Sequence, residues 1–268
     1  MFLEPMILDH ASIVRLTVFY GVLVLMAVYE CIAPRKKTVL SKVKRWISNL
    51  ILVFLDAILV RFLIIMTPVV WATYLDQKGI GLLHGFSFQL RVGLAIVALD
   101  FVIYLQHVMF HFLPVLWRFH RVHHCDRDID VSTGLRFHPV EILISLGIKF
   151  SAIFLLGAPP EAVLLFEIIL NASAMFNHSN IKIPIWLDRV LRFVLVTPDM
   201  HRVHHSIYSH ETNSNFGFNL PYWDFLCGTY IAQPQDGHQE MEIGLPEFRF
   251  SPVANLFWLL YLPFRLSK

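Results

Sequence analysis

The stretch LRVGLAIVALDFVIYLQHVMFHFLPVLWRFHRVHH, residues 90–124, decides the fold, because a long apolar run passes directly into a dense set of histidines. The apolar part, 90–116, exceeds the roughly 20 residues that a helix needs to cross a bilayer. The histidine part ends in HRVHH at 120–124, and the same five residues recur at 201–205. The flanks of the two copies differ, so an internal repeat does not explain the recurrence.

The composition is that of an integral membrane protein. Hydrophobic residues make up 56% of the chain, charged residues only 16%, and the mean hydropathy is +0.58. The formal net charge of +2 gives no reason to expect a nucleic-acid partner. Three cysteines without CxxC spacing indicate neither a disulfide framework nor a thiolate metal site.

Two further apolar runs, 13–33 and 47–75, are long enough to span a membrane. A fourth apolar region, 141–176, is interrupted by Gly157 and two prolines, which predicts a helical hairpin or two short helices. Such a hairpin is expected to cross the membrane partly or obliquely. The expected fold class is therefore all-α: a membrane helical bundle of three clear spans and a broken hairpin, with a histidine-rich helical cap.

The orientation follows from the distribution of basic residues between the spans. RKKTVLSKVKR at 35–45 carries six Lys and Arg, whereas 76–88 carries one, so the first of these loops is predicted to be cytoplasmic. Counting spans then places the histidine-rich cap on the same face. Glu4 and Asp9 occupy the part of the N-terminus that would be basic in a signal peptide, so the first span is expected to be an anchor.

The spacing of the histidines predicts groups of converging ligands. His107 and His111 lie about 40° apart on a helix, with Asp100 on the same stripe. Each HRVHH places its three imidazoles at i, i+3 and i+4, within about 100° of arc. Thr197 and Pro198 are typical of an N-cap and first helical residue, which would put the second HRVHH in the opening turns of a helix.

His178 follows Glu167 and Asn171 on another polar stripe of an apolar helix. With it, eight or nine imidazoles exceed the four to six ligands that one ion takes, so a pair of metal ions is predicted. Imidazole suits Zn, Cu, Fe and Ni, and spacing alone does not choose among them.

Five segments extend the histidine motifs: LDFVIYLQHVMFHFLPVLWRFHRVHH, RFHPVE, FNHSNIKIP, TPDMHRVHHS and ETNSNFGFNLPYWDFLCGTY. Together they resemble the fatty acid hydroxylase/sterol desaturase superfamily of membrane oxygenases, in its bacterial-type branch. The similarity runs from about Val92 to Ile231. It implies a non-haem di-iron centre on the cytoplasmic face that uses O2 to hydroxylate or desaturate a lipid.

The resemblance also implies roles for particular residues. His138 would be a ligand or a partner of a ligand, and Asp100, Asn215 and Asp224 would orient imidazoles through their free N–H groups. The implied iron ligands are His107, His111, His120, His123, His124, His178, His201, His204 and His205. The catalytic region would be 90–232, between an N-terminal transmembrane region at 1–89 and a tail with an interfacial apolar segment at 233–268.

The expected partners are a lipid drawn from the bilayer and a separate electron donor of the ferredoxin, cytochrome b5 or reductase type, in a bacterial inner membrane or an ER-type membrane. A histidine-rich metal transporter and a di-zinc hydrolase are the alternative functions. Asp56 and Arg61 lie inside the second span, where charges are costly; no role is assigned, and a bundle-facing ion pair is an equal alternative. LDRVLRFVLV at 187–196 predicts an amphipathic helix lying on the membrane surface, with a helix packed on the cytosolic cap as the alternative.

Overall fold

The structure, a computed structural model, describes residues 10–265, and it confirms the all-α membrane bundle. Glu4 and Asp9, which bear on the anchor prediction, lie outside the described residues. Thirteen α-helices are numbered here in chain order: α1 Ala11–Ile32, α2 Lys42–Leu63, α3 Pro68–Gln77, α4 Phe88–Phe112, α5 Pro114–His124, α6 Pro139–Leu156, α7 Pro160–Asn177, α8 Ile185–Leu191, α9 Pro198–His204, α10 Ser209–Thr212, α11 Tyr222–Cys227, α12 Gly237–Glu240 and α13 Leu256–Tyr261.

Four apolar stretches are long enough to cross a membrane: α1, α2 with α3, α4, and α6. The share of each apolar window that is buried ranges only from 6% to 33%, so most of this apolar surface faces away from the protein. Such large exposed apolar faces are stable in lipid and not in water. The chain is an integral membrane protein.

The second span differs from the single run predicted at 47–75. It breaks at residues 64–67, where Ile64 is extended, and Pro68 then begins α3. Thr67 caps the new helix, its hydroxyl accepting from the backbone N–H of Val70 at 3.3 Å. Because the proline ring cannot continue a preceding helix, the Thr-Pro pair marks this break, and the signal is present in the sequence.

The broken apolar region forms a hairpin of α6 and α7, as predicted. Its turn has Gly157 at φ +62° and packs against the α3–α4 loop, where Leu82 and Leu83 donate to the carbonyls of Leu155 and Leu156 at 3.0 and 2.9 Å. A Cβ on Gly81 would lie 2.1 Å from the Gly157 nitrogen, so only glycine permits this approach. The hairpin itself is confirmed, and its partial or oblique crossing of the membrane stays a prediction.

The basic loop between α1 and α2 packs against the histidine-rich cap at the opposite end of the bundle. Arg35 pairs with Asp199 at 2.9 Å, next to the second HRVHH. Arg45 is fully buried and binds Asp126 at 2.8 Å and Asp130 at 2.5 Å, just after the first HRVHH. The basic loop and the histidines therefore lie on one side of the bundle.

Two peripheral segments complete the cap. Residues 185–194 turn Trp186 and Phe193 outward, while Asp188 and Arg192 are buried as an ion pair at 2.8 Å. The helix is shorter than predicted, and its polar face packs on the cap while its apolar face points outward, an arrangement suited to a lipid surface. The apolar segment near the C-terminus docks on the cap: the Leu262 carbonyl accepts from Arg121 at 2.8 Å.

Candidate metal centre

A sharp turn after α4 folds the first HRVHH back onto that helix. Leu113 is extended and Pro114 occupies the first turn of α5, so the chain reverses direction between His111 and His120. Both helices thus present their histidines to the same interior space, and the Nε2 atoms of His107 and His120 lie 3.1 Å apart.

The second HRVHH lies on α9, which Thr197 caps as predicted. Its hydroxyl accepts from the backbone N–H of Met200 at 3.3 Å, and Pro198 begins the helix. His201 comes within 3.0 Å of His178, Nε2 to Nε2, at the end of α7. Four separate segments of the chain therefore meet at one site.

The structure brings together all nine histidines predicted from spacing and resemblance, and it divides them into two groups. Within each group the candidate ligand atoms all lie within 4.8 Å of one another. The five-histidine cluster contains His107, His111, His120, His124 and His204, and the four-histidine cluster contains His123, His178, His201 and His205. Every member is 9% exposed or less.

Each HRVHH contributes to both clusters. The first places His120 and His124 in the five-histidine cluster and His123 in the four-histidine cluster. The second places His204 in the five-histidine cluster and His201 and His205 in the four-histidine cluster. The three prongs of one short helix therefore serve two neighbouring positions rather than one.

Backbone carbonyls fix the tautomers of four imidazoles. Because a carbonyl oxygen only accepts, the Nδ1 atom that contacts it carries the proton and Nε2 carries a lone pair. The pairs, with their distances, are His107 to Phe216 at 2.8 Å, His123 to Arg136 at 3.2 Å, His178 to Ala174 at 2.7 Å and His204 to Ser214 at 2.6 Å.

These tautomers leave nitrogen lone pairs pointing at one another. The Nε2 atoms of His178 and His123 are 3.0 Å apart, yet neither carries a proton to share. Among the described residues, buried Nε2 atoms of His111, His124, His204 and His205 also lack a hydrogen-bond partner. Lone pairs gathered in this way repel unless a cation lies between them, so the donor set fits a pair of imidazole-bound transition-metal ions.

Burial keeps the cap imidazoles neutral. It lowers the pKa of His120 and of His178 to about 3. Burial, together with the neighbouring histidines, also lowers the pKa of His123, His204 and His205 well below the usual value. A neutral imidazole is the form that binds a metal, so these side chains are ready ligands at neutral pH.

His138 lies outside both clusters. It caps α6: its Nδ1 accepts from the Val140 backbone N–H at 3.2 Å, and its Nε2 donates to the Leu260 carbonyl at 3.3 Å. Its ring packs against Phe119 and Phe264. Both ring nitrogens are thus engaged in holding α6 and the C-terminal segment, which places His138 in a structural role rather than among the ligands.

The side chains of the three residues expected to orient imidazoles bind other groups instead. Asp100 accepts from Asn219 and Trp223, each at 2.7 Å. Asn215 binds the carbonyls of Met200 and Ile231, and Asp224 accepts from the backbone N–H groups of Phe216 and Gly217. Asp224 therefore positions the Phe216 carbonyl, which in turn holds His107.

Direct imidazole partners that the sequence interpretation missed are Glu141 and Asn213. His120 Nδ1 donates to Glu141 Oε1 at 2.6 Å, and His111 Nδ1 donates to Asn213 Oδ1 at 3.2 Å. Glu141 is the acid of RFHPVE, so the motif contained the signal, but its target 21 residues away in sequence follows only from the fold.

A cavity of about 720 Å³ adjoins the five-histidine cluster. His107, His120 and Glu141 line one end, and the walls come from α1, α2, α4, α6 and α7. The cavity also reaches Ile65 and Met66, which are exposed on the apolar outer surface. The site is thus connected to the region where a membrane lipid would lie.

Residues 92–229 match the family model described as Fatty acid hydroxylase, which is more than half of the 268-residue chain. The chain belongs to the fatty acid hydroxylase family. The matched range contains both histidine clusters and Glu141, so the family segment and the candidate metal centre coincide.

Curated relatives carry lipid-related names. Ornithine lipid hydroxylase OlsE of Rhizobium tropici is 32% identical over 157 residues, 59% of this chain and 46% of that protein. Alkylglycerol monooxygenase of Homo sapiens is 27% identical over 176 residues, 62% of this chain and 36% of that protein. Very-long-chain aldehyde decarbonylase GL1-1 of Oryza sativa subsp. indica is 28% identical over 194 residues, 65% of this chain and 30% of that protein.

The chain thus spans between 30% and 46% of the length of these three relatives. No solved structure matches it.

Proposed function

We propose that this fatty acid hydroxylase family member is a membrane-bound non-haem di-iron oxygenase that hydroxylates or desaturates a lipid. The observation that carries the proposal is the pair of buried histidine clusters, whose unprotonated nitrogens converge at the end of a cavity that reaches the lipid-facing surface. Family membership and the lipid-related names of the relatives support it.

We assign one iron ion to the five-histidine cluster and one to the four-histidine cluster. When bound, iron would supply the redox chemistry that reduces O2 and attacks an unactivated C–H bond. In hydroxylation one oxygen atom enters the C–H bond, and the other leaves as water with two electrons and two protons from outside. The carbonyls of Phe216, Arg136, Ala174 and Ser214 would hold four of the ligand rings in place, which limits rearrangement as electrons arrive.

The protein also excludes bulk water from this chemistry. His123, His201 and His204 are completely buried, and the ring of Phe137 stacks on His123 with its centroid 4.7 Å away. Phe216 packs edge-on against His107, His111 and His204. A dry, aromatic-lined pocket would favour reaction with the bound lipid over loss of oxidant to solvent.

We place the histidine site on the cytoplasmic face of a bacterial inner membrane or an ER-type membrane. The basic loop at 35–45 supports this side, because it packs against the same cap and basic loops remain in the cytoplasm. Electron delivery is assigned to a separate donor of the ferredoxin, cytochrome b5 or reductase type.

The decisive experiment combines metal analysis with lipid mass spectrometry. The protein, purified in nanodiscs and loaded with Fe(II), should hold two iron ions per chain and consume O2 when a reductant and membrane lipids are added. Lipid extracts from cells that express it should gain a species heavier by one oxygen or lighter by two hydrogens. His204→Ala, which removes a member of the five-histidine cluster, should abolish both the O2 consumption and the change in lipid mass.

The alternatives give different results in the same samples. A di-zinc hydrolase would bind zinc and release hydrolysis products without consuming O2. A transporter would move metal ions across a vesicle membrane, with neither hydrolysis nor O2 consumption. Either outcome, with no O2 uptake by the iron-loaded protein, would overturn the proposal.

A further inference from the structure

Three charged residues from three different helices meet in the cavity, away from the histidines. Glu167 of α7 binds both cations: Lys149 of α6 donates to its Oε1 at 3.0 Å, and Arg15 of α1 donates to its Oε2. All three line the same cavity that ends at His107 and His120. They are called the charged floor of the cavity.

The charged floor has more positive than negative charge. Glu167 uses both oxygens, one on each cation, so the trio keeps one net positive charge. Charge at membrane depth is costly unless it is compensated. Arg15 Nε is buried without a partner among residues 10–265.

The other charges on the cavity wall do not neutralise this excess directly. Asp56 is 8% exposed, and its Oδ1 lacks a partner in the described part of the chain. Arg61 lies exposed at the cavity wall, and no ion pair joins it to Asp56 among the described residues. The bundle-facing ion pair considered for these two residues is therefore not formed, and Arg15 Nε remains an unused donor of the floor among the described residues.

The polar wall continues from the floor to the histidines along one face of α6. Glu141, Ser145 and Lys149 occupy positions i, i+4 and i+8, and all three line the cavity. At 1.5 Å per residue the floor lies about 12 Å from the level where Glu141 holds His120. A cavity that received only hydrocarbon would not need this line of polar groups, because each is costly to bury.

We propose that the charged floor binds the acidic group, a carboxylate or phosphate, of an amphiphilic lipid, with Lys149 and Arg15 as its donors. Where the proposed oxygenase function holds, this contact fixes which carbon lies beside the five-histidine cluster, about 12 Å along α6. The substrate class is then an acidic lipid whose polar end enters the cavity rather than staying at the membrane surface. Arg and Lys side chains are the usual hydrogen-bond donors to carboxylate and phosphate groups.

The test is equilibrium binding of a fluorescent fatty acid, cis-parinaric acid, to the protein in phosphatidylcholine nanodiscs, compared with its methyl ester. The acid should bind the wild-type protein at least tenfold more tightly than the ester. Lys149→Gln should reduce that preference to threefold or less, and Lys149→Arg should restore it. Lys182→Gln, which removes an exposed lysine outside the cavity, is the matched control and should leave the preference unchanged.

Equal affinity of the wild-type protein for acid and ester would overturn the proposal, because the floor would then only brace the helices. Displacement of the probe by millimolar inorganic phosphate would overturn the assignment to a lipid. Circular dichroism of each variant shows whether it is folded, and Lys149→Arg tests the floor even where Lys149→Gln does not fold. Binding of the probe requires neither iron nor O2, so the binding result would hold even if the oxygenase assignment failed. An active oxygenase that binds acid and ester equally would contradict only the proposed role of the charged floor.

Discussion

The Nδ1 atom of His120 lies 2.6 Å from Oε1 of Glu141, and this hydrogen bond ties the first HRVHH to the first turn of α6. The carboxylate acts on the candidate metal centre only through the imidazole, so Glu141 is a positioning residue.

Removing the Glu141 carboxylate should weaken metal binding without removing a ligand. Glu141→Ala leaves the His120 ring free to turn, and loss of such a partner costs about 10–100-fold in metal affinity or activity. Glu141→Gln keeps an oxygen that can accept the same N–H and should retain most of both. Competition with a chelator measures the affinity, and an alanine variant with wild-type affinity would contradict the role.

Single ligand variants should distinguish the clusters from their surroundings. His123→Ala and His204→Ala each remove one imidazole from a different cluster, and each should lose at least half of the bound metal and all turnover while remaining in the membrane fraction. His138→Ala is the matched control, because that histidine is also buried but lies outside both clusters and caps α6. It should keep its metal and lose about 0.5–2 kcal/mol of stability, the usual value for a lost cap. Elemental analysis of the three purified variants decides the point.

Gly134 should be intolerant of any side chain. A Cβ at this position would lie 2.5 Å from the Ala174 carbonyl oxygen, the atom that accepts from His178 Nδ1, and 3.3 Å from that Nδ1. Gly134→Ala should therefore displace His178 and lower metal occupancy of the four-histidine cluster.

Gly147 of α6 provides the control for this substitution, since a Cβ there meets nothing within 4 Å. Gly147→Ala should leave the metal unchanged and stabilise the helix by about 0.5–1 kcal/mol. Equal metal content in the two alanine variants would show that the Gly134 contact does not matter.

The metal-free protein should lose stability as the pH falls below about 6.5, the titration range of histidine in an unfolded chain. Burial lowers the pKa of His120 and His178 to about 3, so the unfolded state binds more protons throughout the interval between these values. The contribution of these neutral histidines to the free energy of unfolding is therefore complete above about pH 6.5, and it is lost progressively as the pH falls from there towards about 3.

Thermal unfolding of the metal-free protein in detergent, measured between pH 7.5 and pH 5, tests this expectation. The Tm should fall towards pH 5, and His178→Phe should show a shallower fall because one titrating group is gone. A Tm that is flat or rises on acidification would be inconsistent with buried neutral imidazoles.

The sequence predicts most of what depends on spacing within one helix. The apolar runs, the converging histidines of each HRVHH and the Thr197 cap are local patterns, and the structure contains all of them. The break before Pro68 and the capping role of His138 also have local sequence signals, because Thr67 and His138 each directly precede a proline.

What escaped prediction depends on how distant segments pack. The division of each HRVHH between two clusters requires α4, α5, α9 and the end of α7 to meet, and no spacing rule within one helix contains that information. The same holds for the carbonyl of Phe216 and for Glu141, which meet their imidazoles across 109 and 21 residues. The family resemblance implies that Asp100 and Asp224 orient imidazoles, but Asp100 binds the side chains of Asn219 and Trp223, and Asp224 binds the backbone N–H groups of residues 216 and 217.

Because each HRVHH helix reaches into both clusters, neither metal position can be arranged by itself. An ion that enters the four-histidine cluster draws in His123 and His205, and the same helices then deliver His124 and His204 for the neighbouring position. The entropy of ordering those helices is therefore lost once rather than twice. Metal uptake is expected to be cooperative, with a sigmoidal loading curve and few singly occupied molecules.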